Sequence, residues 1–199
     1  MEKKNGYIKE YDTTSGKLKS EGYYLNGEKN GMIKEYNDKG ELLFEGEYLN
    51  GKRNGKGKEY RYNELIYDGE FLNDKRDGKG KEFKNNKIIF EGEFKDDIRW
   101  KGKGIEISYF YNYEEIEDSN KEEKEKRFYN NDNIIFDGEY INGNWNGLGR
   151  EYYFNGNLKY IGEFSDGKWN GKGKEYYKNG KIKYEGEFIN GNKEKKKKK

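Results

Sequence analysis

Six amino acids are missing from the 199-residue chain: alanine, valine, glutamine, histidine, proline and cysteine. Each absence removes chemistry. Without His and Cys there is no Ser-His-Asp or Cys-His machinery and no structural zinc site of the usual kind. Without Cys no disulfide forms, so cysteine usage says nothing about redox compartment. Apolar residues are scarce, 30% against a usual ~45–50%. No apolar run approaches the ~18 residues that span a bilayer. The first residues, Met1-Glu-Lys-Lys-Asn-Gly6, lack the apolar core of a secretory signal. These features lead us to expect a soluble, cytoplasmic protein, at most peripheral to a membrane or cytoskeleton.

A charged fraction of 40% with so few apolar residues would by itself indicate disorder. The aromatics argue against it: 20 Tyr, 11 Phe and 3 Trp accompany 28 Gly. They recur as Phe44-Glu-Gly-Glu-Tyr48, Tyr67-Asp-Gly-Glu-Phe71, Phe90-Glu-Gly-Glu-Phe94, Phe136-Asp-Gly-Glu-Tyr140, Tyr160-Ile-Gly-Glu-Phe164 and Tyr184-Glu-Gly-Glu-Phe188, with a weaker copy at Ser20-Glu-Gly-Tyr-Tyr24. The central glycines, Gly22, Gly46, Gly69, Gly92, Gly138, Gly162 and Gly186, are spaced 24, 23, 23, 46, 24 and 24 residues apart. One unit has therefore drifted out of recognition near residue 115.

A second element follows each motif, as in Gly55-Lys-Gly-Lys-Glu-Tyr60 and Gly171-Lys-Gly-Lys-Glu-Tyr176. Between the two lies a turn such as Asn50-Gly-Lys-Arg-Asn-Gly55. Asn-Gly tolerates positive φ, so each unit reads as a β-hairpin. A lone hairpin is not stable in water; stacked neighbours bury the aromatic stripe. The expected fold is all-β: an elongated solenoid of stacked antiparallel hairpins, about eight units of roughly 23 residues with one degenerate, giving about sixteen strands over ~75 Å. It would occupy residues 1–192 as one domain. The glycine between two aromatics is expected to leave a slot for a ring.

These motifs resemble the MORN (membrane occupation and recognition nexus) repeat over nearly the whole chain. The stretch Gly16-Lys-Leu-Lys-Ser-Glu-Gly22 is also similar to bacterial repeat proteins of antitoxin type. The resemblance implies a β-hairpin scaffold or binding module, in some members attached to membranes, lipids or cytoskeleton. The second aromatic, often Trp in the family, is Tyr or Phe in this chain.

Trp100, Trp145 and Trp169 each precede by two residues the glycine that opens a second strand, where other units hold Lys29, Arg53 and Arg76. Arg53, Arg76, Trp100, Trp145 and Trp169 are therefore a candidate partner-binding edge, since Trp and Arg are enriched at interface hot spots. The alternative is that each indole packs on the adjacent loop. Residues 113–127 carry charge and no glycine, and are expected to form a short exposed helix or a loop in place of a hairpin tip.

Residues 193–199 hold six lysines, Lys193 and Lys195, Lys196, Lys197, Lys198 and Lys199, around one glutamate. They are candidate contacts for anionic lipid at ~1 kcal/mol per Lys near the surface, and otherwise a disordered solubilising end. The Glu59-type and Glu47-type residues recur from unit to unit. That reads as cross-strand pairing with periodic Lys rather than catalysis. The sequence thus points to a non-enzymatic scaffold holding a protein partner, with an anionic phospholipid-binding module as the second reading. No metal or cofactor site and no nucleic-acid partner is expected. An exposed end strand also leaves end-to-end homodimerisation open.

Overall fold

The computed structural model describes residues 4–116 and 125–194, and side chains only outside 108–132. Among the described residues there are fifteen strands and no helix, in chain order within an antiparallel sheet. The chain divides into two compact units, residues 1–104 with 140–143, and residues 105–139 with 144–199. The first holds β1 (Gly6–Tyr11), β2 (Leu18–Leu25), β3 (Glu28–Tyr36), β4 (Leu42–Leu49), β5 (Lys52–Arg61), β6 (Glu64–Leu72), β7 (Lys75–Lys84) and β8 (Lys87–Lys95), with one end each of β9 (Ile98–Ile116) and β10 (Glu125–Ile141). The second holds the rest of β9 and β10, then β11 (Asn144–Tyr152), β12 (Leu158–Ser165), β13 (Lys168–Tyr176), β14 (Ile182–Ile189) and β15 (Asn192–Lys193).

The hairpin turns form where the sequence permits positive φ. Asn50 and Gly51 take φ of 49° and 80°, and Leu49 pairs directly with Lys52 across them. Where glycine is missing, Asp replaces it at a second left-handed position, as at Asn73-Asp74. The Asp74 carboxylate then accepts the Arg53 backbone N–H at 2.8 Å, and its own N–H donates to the Arg53 carbonyl at 3.0 Å. Successive tips are locked together in this way.

Register fixes the core. Gly46 lies opposite Gly57, Gly57 opposite Gly69, Gly69 opposite Gly80, and Gly80 opposite Gly92. The second unit repeats the ladder through Gly149, Gly162, Gly173 and Gly186. The preceding aromatic of each motif lies over this ladder. A Cβ at Gly57 would come within 2.5 Å of the Phe44 ring, and one at Gly46 would lie 2.5 Å from the Gly57 backbone. The slot is thus filled by the ring two residues earlier on the same strand, lying across its own glycine and the next strand's.

The rings meet edge-to-face: Phe44 with Phe71 at 5.2 Å, Tyr67 with Phe94 at 5.0 Å, and, in the second unit, Tyr160 with Phe188 at 5.2 Å. Glycine below and neighbours on both sides leave Phe44, Tyr67, Phe90, Phe136 and Tyr160 completely buried although the sheet is a single layer. Edge-to-face geometry suits the ring quadrupoles and adds ~0.5–1.5 kcal/mol per pair beyond area burial.

The drifted unit is not a separate hairpin. Its residues lengthen β9 and β10 to 19 and 17 residues, which removes two of the expected strands, and the short β15 brings the number among the described residues to fifteen. Residues 113–116 and 125–127, expected as helix or loop, are strand; residues 117–124 lie outside the described residues.

Candidate functional site

On the ring face, a bulge between glycine and the second aromatic brings a side chain of the following strand over each ring. Tyr48 pairs with Arg53 and Phe71 with Arg76 through such bulges. The Arg53 guanidinium sits 4.1 Å from the Phe44 centroid, and Arg76 lies 4.5 Å from that of Tyr67. In the second unit an indole occupies the place. Trp145 stacks on Phe136 at 4.3 Å and 2°, and Trp169 on Tyr160 at 4.4 Å and 6°. Planar guanidinium and planar indole close the same slot because each offers a flat surface to a ring.

The glutamate of the Gly-x-Gly-x-Glu element receives their hydrogen bonds. Arg53 donates to Glu35 at 2.9 Å and to Glu59 at 2.8 Å; Arg76 donates to Glu59 at 2.8 Å and to Glu82 at 2.6 Å. This makes an alternating ladder of acid and guanidinium across β3, β5 and β7. Trp145 Nε1 donates to Glu106 at 2.8 Å and Trp169 Nε1 to Glu151 at 2.7 Å. An indole brings no charge, and Glu151 is neutralised by Lys159. Burial pushes the Glu35 carboxyl up, but hydrogen bonds from Lys29 and Arg53 outweigh it and hold the group below the usual carboxylate range. Burial pushes the Tyr48 phenol well above its ordinary value.

The candidate edge therefore resolves unevenly. Arg53 and Arg76 keep only 22% and 19% of their side chains exposed, committed to rings and carboxylates. Trp145 and Trp169 lie in the equivalent slots. Trp100 does not: Gly92 pairs with Gly102, the first glycine of its Gly-x-Gly element rather than the second as in the other hairpins, and Arg99 pairs with Phe94. Arg99 consequently lies on Phe90, at 5.1 Å. Trp100 falls in the bulge, with the Lys95 ammonium 4.7 Å from its ring. Lys193 is held by Glu175 at 2.8 Å and lies 5.2 Å from the Tyr184 ring. Lys195, Lys196, Lys197, Lys198 and Lys199 lie outside the described residues.

The family model for the MORN repeat matches residues 44–64, 67–88, 136–158, 160–182 and 184–194, together half of the chain. The chain belongs to the MORN repeat family. A search among curated proteins finds no match. The matched MORN repeats leave out the hairpins before residue 44, and those hairpins depart from the others on the opposite face of the sheet.

On that opposite face the first unit presents rows of charge that change sign from strand to strand, whereas in the second unit Ile161 and Leu148 interrupt them. One row runs Lys9, Glu21, Lys34, Glu45, Lys58, Asp68, Lys81, Glu91 and Lys103, each directly opposite the next or on consecutive partners. A parallel row runs Glu47, Lys56, Glu70, Lys79, Glu93 and Lys101. Opposite charges on facing strands stabilise each other.

The second row fails at its start, where Met32 stands opposite Glu47 and Tyr7 opposite Tyr23. Tyr7, Tyr23 and Met32 are 58%, 57% and 56% exposed, and the two Tyr rings meet edge-to-face at 5.6 Å. Sequence reasoning passed over this patch. The signal was Gly22-Tyr23 where the other motifs read Gly-Glu.

Proposed function

We propose that this MORN-repeat chain is a non-enzymatic scaffold that holds a protein partner, with the Tyr7, Tyr23 and Met32 surface as the contact. The observation that carries the reading is the replacement of paired charges by exposed aromatic and thioether groups at the same slots. Tyr and Met are enriched in interface cores, and Lys and Glu are depleted there. The partner that fits is an uncharged, apolar protein surface, because an acidic or basic one would meet rows already internally neutralised. The Glu59-type glutamates support the non-enzymatic reading, since they serve as acceptors for an Arg, Lys or Trp of the array.

The test restores what the other repeats carry: Tyr7→Lys, Tyr23→Glu and Met32→Lys together. The variant should keep its melting temperature and lose the proteins captured by the wild-type chain. Unchanged capture would move the contact elsewhere.

A phospholipid-binding role is the second reading. Arg53, Arg76 and Lys193 are engaged by carboxylates, so this reading rests on Lys195 to Lys199. Co-sedimentation with vesicles of phosphatidylserine, at low and high salt, tests it directly. Failure to bind at low salt excludes it.

A further inference from the structure

Ile8 and Ile33 occupy the same place in successive repeats. Ile33 is 1% exposed because β2 lies alongside, with Gly22 opposite. Ile8 is only half-buried: among the described residues β1 has a strand on one side only. What the other side of β1 fits is written in the rest of the sheet. In β5 and β7, each paired on that side by a full motif, the Glu faces an aromatic, the Lys an acid and the central residue a glycine, as Glu59 faces Phe44, Lys58 faces Glu45 and Gly57 faces Gly46.

β14 carries that sequence, Tyr184-Glu185-Gly186-Glu187-Phe188. Beyond it, β15 pairs with Phe188 and Ile189 through Lys193 and Asn192, and the segment continues as far as Glu194, whose N–H donates to the Glu187 carbonyl and whose carbonyl accepts from the Tyr184 hydroxyl.

We propose that β1 of one chain adds to the β14 edge of a second copy, with Lys9 opposite Glu185, Ile8 opposite Gly186 and Glu10 opposite Tyr184, and that the Lys193 segment holds this edge against it. The charges agree: Glu185 already faces Lys174 on its other side, and would then sit between two lysines as Glu45 sits between Lys34 and Lys58. The segment after β14 starts the repeat and then abandons it. Lys193 takes the Arg53 position, bound to Glu175, but five lysines follow Glu194 where a repeat has Gly-Lys-Gly-Lys-Glu. Lys4 is its counterpart at the other end and is bound to Glu10 at 3.1 Å. It reaches Glu175 of the second copy once Lys193 has left. A short strand and a lysine run are means of blunting a sheet edge. The two surfaces differ, so the contact is heterologous and does not close at a dimer. It uses the backbone edge of β1, whereas the protein contact proposed above uses the side chains of the sheet face.

The test uses the full chain. In sedimentation velocity over a concentration series, Lys193→Glu should strengthen self-association roughly tenfold or more by repelling the segment from Glu175. Adding Lys9→Glu should remove the gain, and adding Glu185→Lys as well should return it. No gain on Lys193→Glu overturns the proposal. The second measurement exploits the absence of cysteine and leaves Lys193 in place. On mild oxidation, Lys9→Cys with Glu185→Cys should give dimers, trimers and higher species, while neither single variant gives dimers. Dimers from Lys9→Cys alone would mean a head-to-head contact and overturn the proposal, as would a double variant that stays monomeric.

Discussion

Ile33 lies opposite Gly22 and fills the space that a ring fills in the other repeats, its Cδ1 2.8 Å from where a Gly22 Cβ would be. The ring position in that repeat is Ser20, fully buried, with its hydroxyl 2.9 Å from that of Tyr24. A ring and a glycine, such as Phe44 with Gly57, have been exchanged for a serine and an isoleucine. The volume is kept while its donor has moved to the neighbouring strand.

The exchange should be reversible. Ile33→Gly alone leaves a cavity and is expected to cost about 2–5 kcal/mol. Ser20→Phe alone drives a ring into Ile33 and is expected to cost about 1–3 kcal/mol. The double variant should recover most of both losses. Guanidinium denaturation of the four chains measures the coupling, and additive effects would contradict the shared slot.

Gly138→Val places its Cβ 2.7 Å from both the Gly149 Cα and the Phe136 ring. Neither the backbone nor a completely buried ring can yield, so a loss of about 3 kcal/mol is expected. Thermal unfolding followed by circular dichroism measures it, and an unchanged melting temperature would remove the ring-over-glycine account.

The Arg and Trp slots should be interchangeable only when charge is conserved. Arg53→Trp keeps a flat group on Phe44 but strips Glu35 and Glu59 of a guanidinium. Uncompensated, this is expected to cost about 1–3 kcal/mol. Leu43 stands in the bulge position that Lys159 holds in the Trp169 repeat. Adding Leu43→Lys should restore much of the stability, with the new indole emission blue-shifted as expected of a buried ring. A double variant no better than Arg53→Trp would refute the compensation.

Stability should fall at both pH extremes, for separate reasons. Glu35, Glu10 and Glu175 are each pushed up by burial but pulled further down by their hydrogen-bond partners, so their folded pKa values lie below the unfolded ones. Their contribution is complete above the ordinary carboxylate range, near 4.3, and disappears as pH falls through the folded values. Glu35→Gln should lower stability at neutral pH and flatten the acid limb. Burial raises Tyr24 and Tyr160 to about 12. Their contribution is complete below pH ~10 and falls as pH rises above it. Urea midpoints measured from pH 2 to 11 trace both limbs, and a Glu35→Gln profile parallel to wild type would assign the acid limb to other groups.

The sequence alone determined the repeat, its period, the hairpins and the aromatic core, because positive-φ turns and alternation are local properties of a few adjacent residues. It also determined that Arg53, Arg76, Trp145 and Trp169 share a slot, since their offset from glycine is constant. Register belongs to pairs of strands, and only the tertiary structure decided it. A bulge at Phe94 moves the pairing of β8 with β9 by one residue, so that Arg99 takes the ring that the spacing assigned to Trp100. Residues 113–116 and 125–127, where a charged stretch without glycine favoured a helix or loop, are strand within the sheet. The exposed Tyr7, Tyr23 and Met32 became visible as a surface only when the sheet showed that they interrupt a row of charge.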